Sequence, residues 1–134
     1  MFQNQDITQI FSQKILDKIF PPEKTNAFFE AMLGDASEGA YDIRLIFKGV
    51  KENIIQFAFE LTQRPGKCLV CSVTYGLPQV FKKHRIINTE NIVDQIKTII
   101  GNANVITWDI LPTLQIEQNK HLVPLHITVD QILE

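Results

Sequence analysis

The spacing of apolar residues changes along the chain, and this change predicts where helices give way to strands. In the first third of the chain, apolar side chains recur every three or four positions, which is typical of an amphipathic helix. Pro21 and Pro22 end a first helix, which Asp6 caps, and they open a second helix that Gly34 closes in a left-handed conformation. From Tyr41 the period becomes two, which predicts β-strands.

The two segments that follow are predicted to pair as an antiparallel hairpin. Apolar residues occupy alternate positions at 41–47 and at 55–61. Because buried residues must oppose buried residues, the numbers of paired residues must add up to an even value. The neighbouring register would place Asp42 against Glu60, and facing like charges are unfavourable. We therefore expect Arg44 opposite Glu60, with the turn at residues 51–53.

The middle of the chain predicts one more strand and then two helices. Residues 68–75 are apolar on both faces, which is typical of a central strand. A short helix is predicted at residues 78–83. The clearest helix of the chain begins after Asn88 or Thr89 and stops at Gly101, because its apolar residues share one face.

The last third predicts further strands at residues 105–111, 114–118 and 121–127. Proline lacks the N–H group that a strand ladder needs. We therefore expect Pro112 and Pro124 at a sheet edge or at the end of a strand.

Without the short helix at residues 78–83, the predicted order of elements is α-α-β-β-β-α-β-β-β, within a single domain over residues 1–134. Strands joined by short turns indicate an α+β fold, with an antiparallel sheet of five to six strands and helices packed on one face. An order of helix, three strands, helix and two strands is similar to that of the small bacterial secretion chaperones. This resemblance concerns topology, and it implies a fold rather than a function.

Composition narrows the classes of partner. The chain has 134 residues, 45% apolar and 21% charged, which indicates one soluble globular domain. Its 13 basic and 15 acidic residues give a net charge of −2, so a general attraction to nucleic acid or to an anionic membrane is not expected. There is no run of about 18 apolar residues and no basic N-terminal segment typical of a secretory signal. Two cysteines are too few for a disulfide scaffold, so we expect a reduced, cytoplasmic protein.

One segment resembles the first part of a zinc finger with two cysteine and two histidine ligands. Cys68 and Cys71 are three residues apart, Tyr75 follows four residues later, and His84 stands at the spacing of the first histidine ligand. The second histidine of that family is absent. Residues three apart on a strand also point to opposite faces, so the two cysteines would not share a metal. We expect no metal and no cofactor, and a site at Cys68, Cys71 and His84 is the alternative.

The junction that follows the predicted central strand holds the candidate binding residues. Its glycine and proline make a sharp reversal, where backbone N–H groups can face a ligand. The only basic cluster comes next, and it is either a site for phosphate, acidic peptide or nucleic-acid backbone, or a solvated helix end. The candidate residues for binding a ligand or partner are Tyr75, Gly76, Pro78, Lys82, Lys83, His84 and Arg85.

The sequence contains no catalytic motif. No nucleophile is linked by a recognisable pattern to His84, His121 or His126, and the last two lie five apart on opposite faces of one predicted strand. We therefore expect no enzymatic activity.

The function that the sequence favours is binding to protein. Phenylalanines crowd the first two helices, and any that stay exposed would mark a protein-binding patch or a dimer interface. We expect a small chaperone-like or adaptor module that binds a protein partner or a second copy of itself as a homodimer. The alternative is a small-molecule binder, with a pocket between sheet and helices lined by Phe57, Phe59, Leu69 and Trp108.

Overall fold

The computed structural model describes residues 9–67, 77–101 and 104–130. The elements of the first range are helices α1 (Gln13–Ile19) and α2 (Glu23–Leu33), a 3₁₀ turn (Ala36–Glu38) and strands β1 (Tyr41–Lys51) and β2 (Ile54–Gln63). The later ranges hold helices α3 (Leu77–Lys83) and α4 (Thr89–Ile100) and strands β3 (Val105–Ile110), β4 (Leu114–Glu117) and β5 (Lys120–Val129). The fold is α+β with a five-stranded antiparallel sheet, which confirms the predicted class.

Strand β5 lies inside this sheet, next to β2. The strand order is β1-β2-β5-β3, and β4 pairs with β5 as well. Residues 125–129 of β5 pair with β3, whereas residues 120–122 pair with β4. Strands β3 and β4 therefore form one interrupted edge, and β1 forms the opposite edge. The strand predicted at residues 68–75 lies outside the described residues.

The hairpin of β1 and β2 has the predicted register. Arg44 lies opposite Glu60, as the avoidance of facing carboxylates requires. A β-bulge before Gly49 inserts one residue into β1. Lys51, predicted to be the first residue of the turn, therefore belongs to β1 and pairs with Ile54. The even sum of paired numbers therefore holds only up to the bulge.

The first predicted helix is interrupted, because residues 9 and 10 are helical and Phe11 and Ser12 separate them from α1, whereas α2 ends where predicted. Ser12 is extended, with φ of −63° and ψ of 158°, and its side chain accepts the N–H of Ile15, so the helix starts at Gln13. The predicted cap, Asp6, lies outside the described residues. Gly34 adopts φ of 81° and donates its N–H to the carbonyl of Glu30, as expected of a left-handed C-cap.

The helices pack on one face of the sheet, around the phenylalanines of β2. Phe57 and Phe59 are fully buried. The ring of Phe57 lies 5.0 Å from that of Phe11, and the ring of Phe59 lies 5.1 Å from that of Phe81 in α3. Helix α4 adds four buried residues to the same core, namely Ile92, Val93, Ile96 and Ile100.

Pro124 contradicts the prediction that both late prolines mark an edge. It is buried in the middle of β5, opposite Ala58 of β2. Its carbonyl accepts the N–H of Leu111 at 3.0 Å, so its backbone groups point towards β3 and β4. The missing N–H therefore faces the gap between those two strands, and the ladder with β2 loses nothing. Pro112 lies in that gap, at the edge where it was expected.

Among the described residues, no helix combines the length and the apolar character that crossing a membrane requires.

Candidate functional site

The predicted binding residues fall into two groups. Tyr75 and Gly76 lie outside the described residues, as do Cys68 and Cys71 of the zinc alternative. Pro78, half-buried in the first turn of α3, and residues 82–85 are described.

The basic cluster is partly used within the fold. The Nζ atom of Lys82 lies 3.3 Å from Oδ1 of Asp109 and 5.9 Å from the centre of the Trp108 ring, so this side chain links α3 to β3. Lys83 and Arg85 are exposed. The structure therefore does not gather these cations around one point.

His84 contributes to packing and to a local hydrogen bond. Its Nδ1 accepts the N–H of Ile86 at 3.1 Å, and its ring centre lies 4.8 Å from that of Phe28. The lone pair of Nδ1 is therefore engaged within the fold. The described residues contain no group of three histidine, cysteine or acidic side chains placed to hold a metal ion.

The residues expected to line a small-molecule pocket pack tightly where they are described. Phe57 and Phe59 have no exposed surface, and their rings contact those of Phe11 and Phe81. Trp108 is half-buried beneath Lys82, and Leu69 lies outside the described residues. These side chains fill the space between sheet and helices, which gives the pocket no support.

The expected aromatic patch on the first two helices is not exposed. Phe11, Phe20, Phe28 and Phe29 are all buried in the core, so these four side chains form no exposed patch. The ring of Phe11 packs against Phe57, that of Phe20 against Phe59 and that of Phe28 against Phe81, which helical spacing alone did not reveal. Phe2 lies outside the described residues.

The structure instead exposes apolar side chains along the β3–β4 edge. The described part of the chain has five large exposed apolar side chains, and three of them, Ile106, Leu114 and Ile116, lie on this edge. All four residues of β4 are exposed. The other two, Met32 and Leu33, lie at the end of α2.

The backbone of β4 also offers unpaired groups. The carbonyl of Pro124 points towards the β3–β4 side of β5. Because backbone groups alternate in direction along a strand, the N–H and C=O of Leu122, two residues earlier, point to the same side. Leu122 therefore exchanges hydrogen bonds with its partner Leu114, and the N–H and C=O of Gln115 point away from the sheet. No described strand pairs with that side of β4.

The opposite edge of the sheet is closed by helices. The side chain of Thr25 in α2 accepts the N–H of Ile43 at 3.1 Å and donates to its carbonyl at 3.2 Å. Gln13 of α1 donates to the carbonyl of Leu45 at 2.8 Å. These contacts occupy three backbone groups, at Ile43 and Leu45, that a foreign strand would use.

The β3 part of the open edge is also protected. Oδ1 of Asp109 accepts the N–H of Ile110 at 2.9 Å and binds Lys82 of α3. Among the described strands, β4 is therefore the segment that is most available for pairing.

A buried histidine lies beside β4. His121 of β5 is 5% exposed and stands between Leu61 of β2 and Gln115 of β4. Neither of its ring nitrogens has a hydrogen-bond partner among the described residues, and burial lowers its pKa. Burial also lowers the pKa of His126, which lies on the other face of the same strand, as predicted.

Sequence reasoning predicted β4 as a strand but gave it no functional role. The signal was present, since a short strand with alternating apolar residues follows Pro112. What was missing was the position of the strand at an edge.

Comparison with known protein families, with characterised proteins and with solved structures finds no match to this chain.

Proposed function

We propose that this chain is a small cytoplasmic protein-binding module, chaperone-like or an adaptor and without catalytic activity, that forms a homodimer through strand β4. The observation that supports the proposal is the contrast between the two edges. Thr25 and Gln13 close the β1 edge, whereas β4 carries unpaired backbone groups and exposed apolar side chains. An edge of this kind is a template for pairing with another strand.

Strand β4 is complementary to a second copy of itself. A two-fold axis through Gln115 would place the two Gln115 backbones in a hydrogen-bonded antiparallel pair. Leu114 of each copy would then lie opposite Ile116 of the other, which makes two apolar pairs on either side of the axis. The β-bulge between Gln115 and Glu117 interrupts the regular register of β4, so the proposed pairing is limited to residues 114–116.

The interface is small, which sets the concentration for a test. Completing the burial of a half-exposed leucine or isoleucine contributes about 1 kcal/mol, or about 4 kcal/mol for the four side chains of the dimer. Association costs about 4–15 kcal/mol, and the backbone hydrogen bonds add about 1 kcal/mol each. These contributions barely offset the cost, so we expect a weak dimer that becomes detectable only at high protein concentration, on the order of 1 mM.

The test is a dilution series followed by sedimentation velocity and by light scattering after gel filtration. The wild type should shift from the 15.4 kDa monomer towards twice that mass as concentration rises. Ile116→Lys should stay monomeric, because it places a charge in the apolar pair. Met32→Lys is the matched control, since Met32 is 49% exposed and Ile116 53% exposed, and it should dimerise like the wild type.

Two results would contradict the proposal. A wild type that stays monomeric up to about 1 mM would contradict pairing of β4 with itself. A dimer with a dissociation constant far above about 1 mM would not be populated in solution. If Met32→Lys dissociates the dimer and Ile116→Lys does not, the interface lies at the end of α2.

A further inference from the structure

We propose that protonation of His121 releases strand β4 from β5, so that β4 detaches from the sheet at acid pH. The inference rests on the proposed function only in that β4 is the strand through which the dimer forms. The release itself is a property of one chain.

The buried position of His121 makes the protonated form of its ring energetically unfavourable. The imidazolium form has two N–H donors, and each requires an acceptor when it is buried. Within the part of the chain that the structure describes, neither ring nitrogen has a hydrogen-bond partner. The neighbours across the sheet are Leu61 on β2 and Gln115 on β4, so neither paired strand turns a charge towards the ring.

The charged residues close to His121 point to the other face of the sheet. Glu60 and Lys120 pair with each other there, with 4.0 Å between Nζ and Oε2. Glu117 of β4 lies opposite Lys120, again on that face. Val123, the next residue of β5 on the face of His121, is apolar, so no described carboxylate of these strands compensates the imidazolium.

Strand β4 is the part of this environment that opens most readily. It pairs with β5 through three residue pairs, and its side chains are exposed. Strand β2 pairs with β5 through nine residue pairs and is buried in the core. Release of β4 removes Gln115 from the side of the ring and gives water access to it.

The expected direction follows from the two states. In the open state the ring is hydrated and titrates near its ordinary pKa of about 6.5. Burial lowers the pKa of His121 in the closed state. As the pH falls below about 6.5, protons bind the open state first, and the opening constant rises up to about tenfold per pH unit until the closed state also titrates.

Amide hydrogen exchange measured by NMR between about pH 7 and pH 5 tests this inference. The Leu114 and Glu117 amides report on β4, and the Arg44 amide, in the hairpin, is the reference. Protection factors are corrected for the intrinsic pH dependence of exchange. Protection in β4 should fall about tenfold per pH unit below about 6.5, while the reference stays constant. Recording the series on Ile116→Lys as well removes any contribution from dimerisation, so a failed dimer test leaves this one intact.

Two variants separate the role of His121 from a general effect of acid. His121→Leu should abolish the pH dependence of β4, and His126→Gln, on the opposite face, should retain it. Dependence that survives His121→Leu, or equal loss of protection in the hairpin, would overturn the inference. If His121→Leu does not fold, the wild-type ring signals decide. Charging of His121 that coincides with loss of β4 protection supports release, and charging with β4 still protected refutes it.

Discussion

Replacing Arg64 with alanine should destabilise the fold by about 2–4 kcal/mol. Arg64 comes directly after β2, and its side chain joins this strand to α2 and to the 3₁₀ turn. Its Nη1 donates to the carbonyl of Ala36 at 2.8 Å, and its Nη2 donates to Oδ1 of Asn26 at 2.9 Å. Its Nε donates to Oδ1 of Asp42 at 3.1 Å, and the guanidinium carbon lies 5.4 Å from the centre of the Phe29 ring.

The magnitude comes from weighing each contact by its exposure. Hydrogen bonds from a charged donor contribute about 1.5–3 kcal/mol each, and less when the acceptor regains water after truncation, as the exposed Asn26 does. The ion pair with Asp42 adds about 0–1 kcal/mol, because the Asp42 side chain is well solvated. The contact with Phe29 adds about 0.5–1 kcal/mol. Since the Arg64 side chain is only 17% exposed, most of this total should appear as lost stability.

Arg44→Ala is the matched control. Arg44 forms a two-point contact with Asp17, at 3.3 and 3.0 Å, but its side chain is 54% exposed. We expect a loss below about 1 kcal/mol there. Arg64→Lys should recover little of the stability lost in Arg64→Ala, because one ammonium group cannot donate to acceptors in three directions.

Urea unfolding at neutral pH, with midpoints and slopes compared across the variants, measures these differences. Equal losses for Arg64→Ala and Arg44→Ala, within about 0.5 kcal/mol, would refute the reasoning that burial makes Arg64 the stronger contact.

Two further predictions concern the neighbouring segment. Gly39→Ala would place a Cβ atom 2.3 Å from Cδ2 of Phe29, so we expect a loss of about 1–3 kcal/mol in thermal unfolding, and an unchanged melting temperature would contradict the packing. Burial raises the pKa of Tyr41 to about 12, whereas an unfolded tyrosine ionises near 10. Stability should therefore fall as pH rises above about 10, and Tyr41→Phe should remove that part of the slope in unfolding free energy measured against pH.

The local pattern predicted several elements well, because their determinants lie close together in the chain. The hairpin register follows from alternation and from one pair of carboxylates, Asp42 and Glu60. Helix α4 follows from an apolar stripe between the cap at Asn88 and the stop at Gly101. Each of these rules compares residues within about twenty positions.

The candidate site was predicted less well. Residues 82–85 were singled out for their charge, and the structure uses Lys82 and His84 in contacts within the fold. Strand β4 was predicted as a strand, yet its exposure depends on which elements flank it. No pattern along the chain states that helices cover part of the β1 edge, or that the outer side of β4 has no partner among the described strands.

Strand β5 shows the same limit from another side. Its residues are buried on both faces, a pattern that is typical of a central strand, but Pro124 indicated an edge. A proline is compatible with the interior of a sheet only if its missing N–H faces a place where no donor is needed. Here the gap between β3 and β4 provides that place.

The amino-acid sequence by itself determined the α+β class, the hairpin and its register, and the helix ends at Gly34 and Gly101. These depend on the period of side chains and on backbone preferences, which act over a few residues. Only the tertiary structure decided that β5 lies inside the sheet, that β4 is an open edge and that His121 is buried without a partner. These properties arise when segments distant in the chain pack together, because burial and pairing are set by neighbours in space.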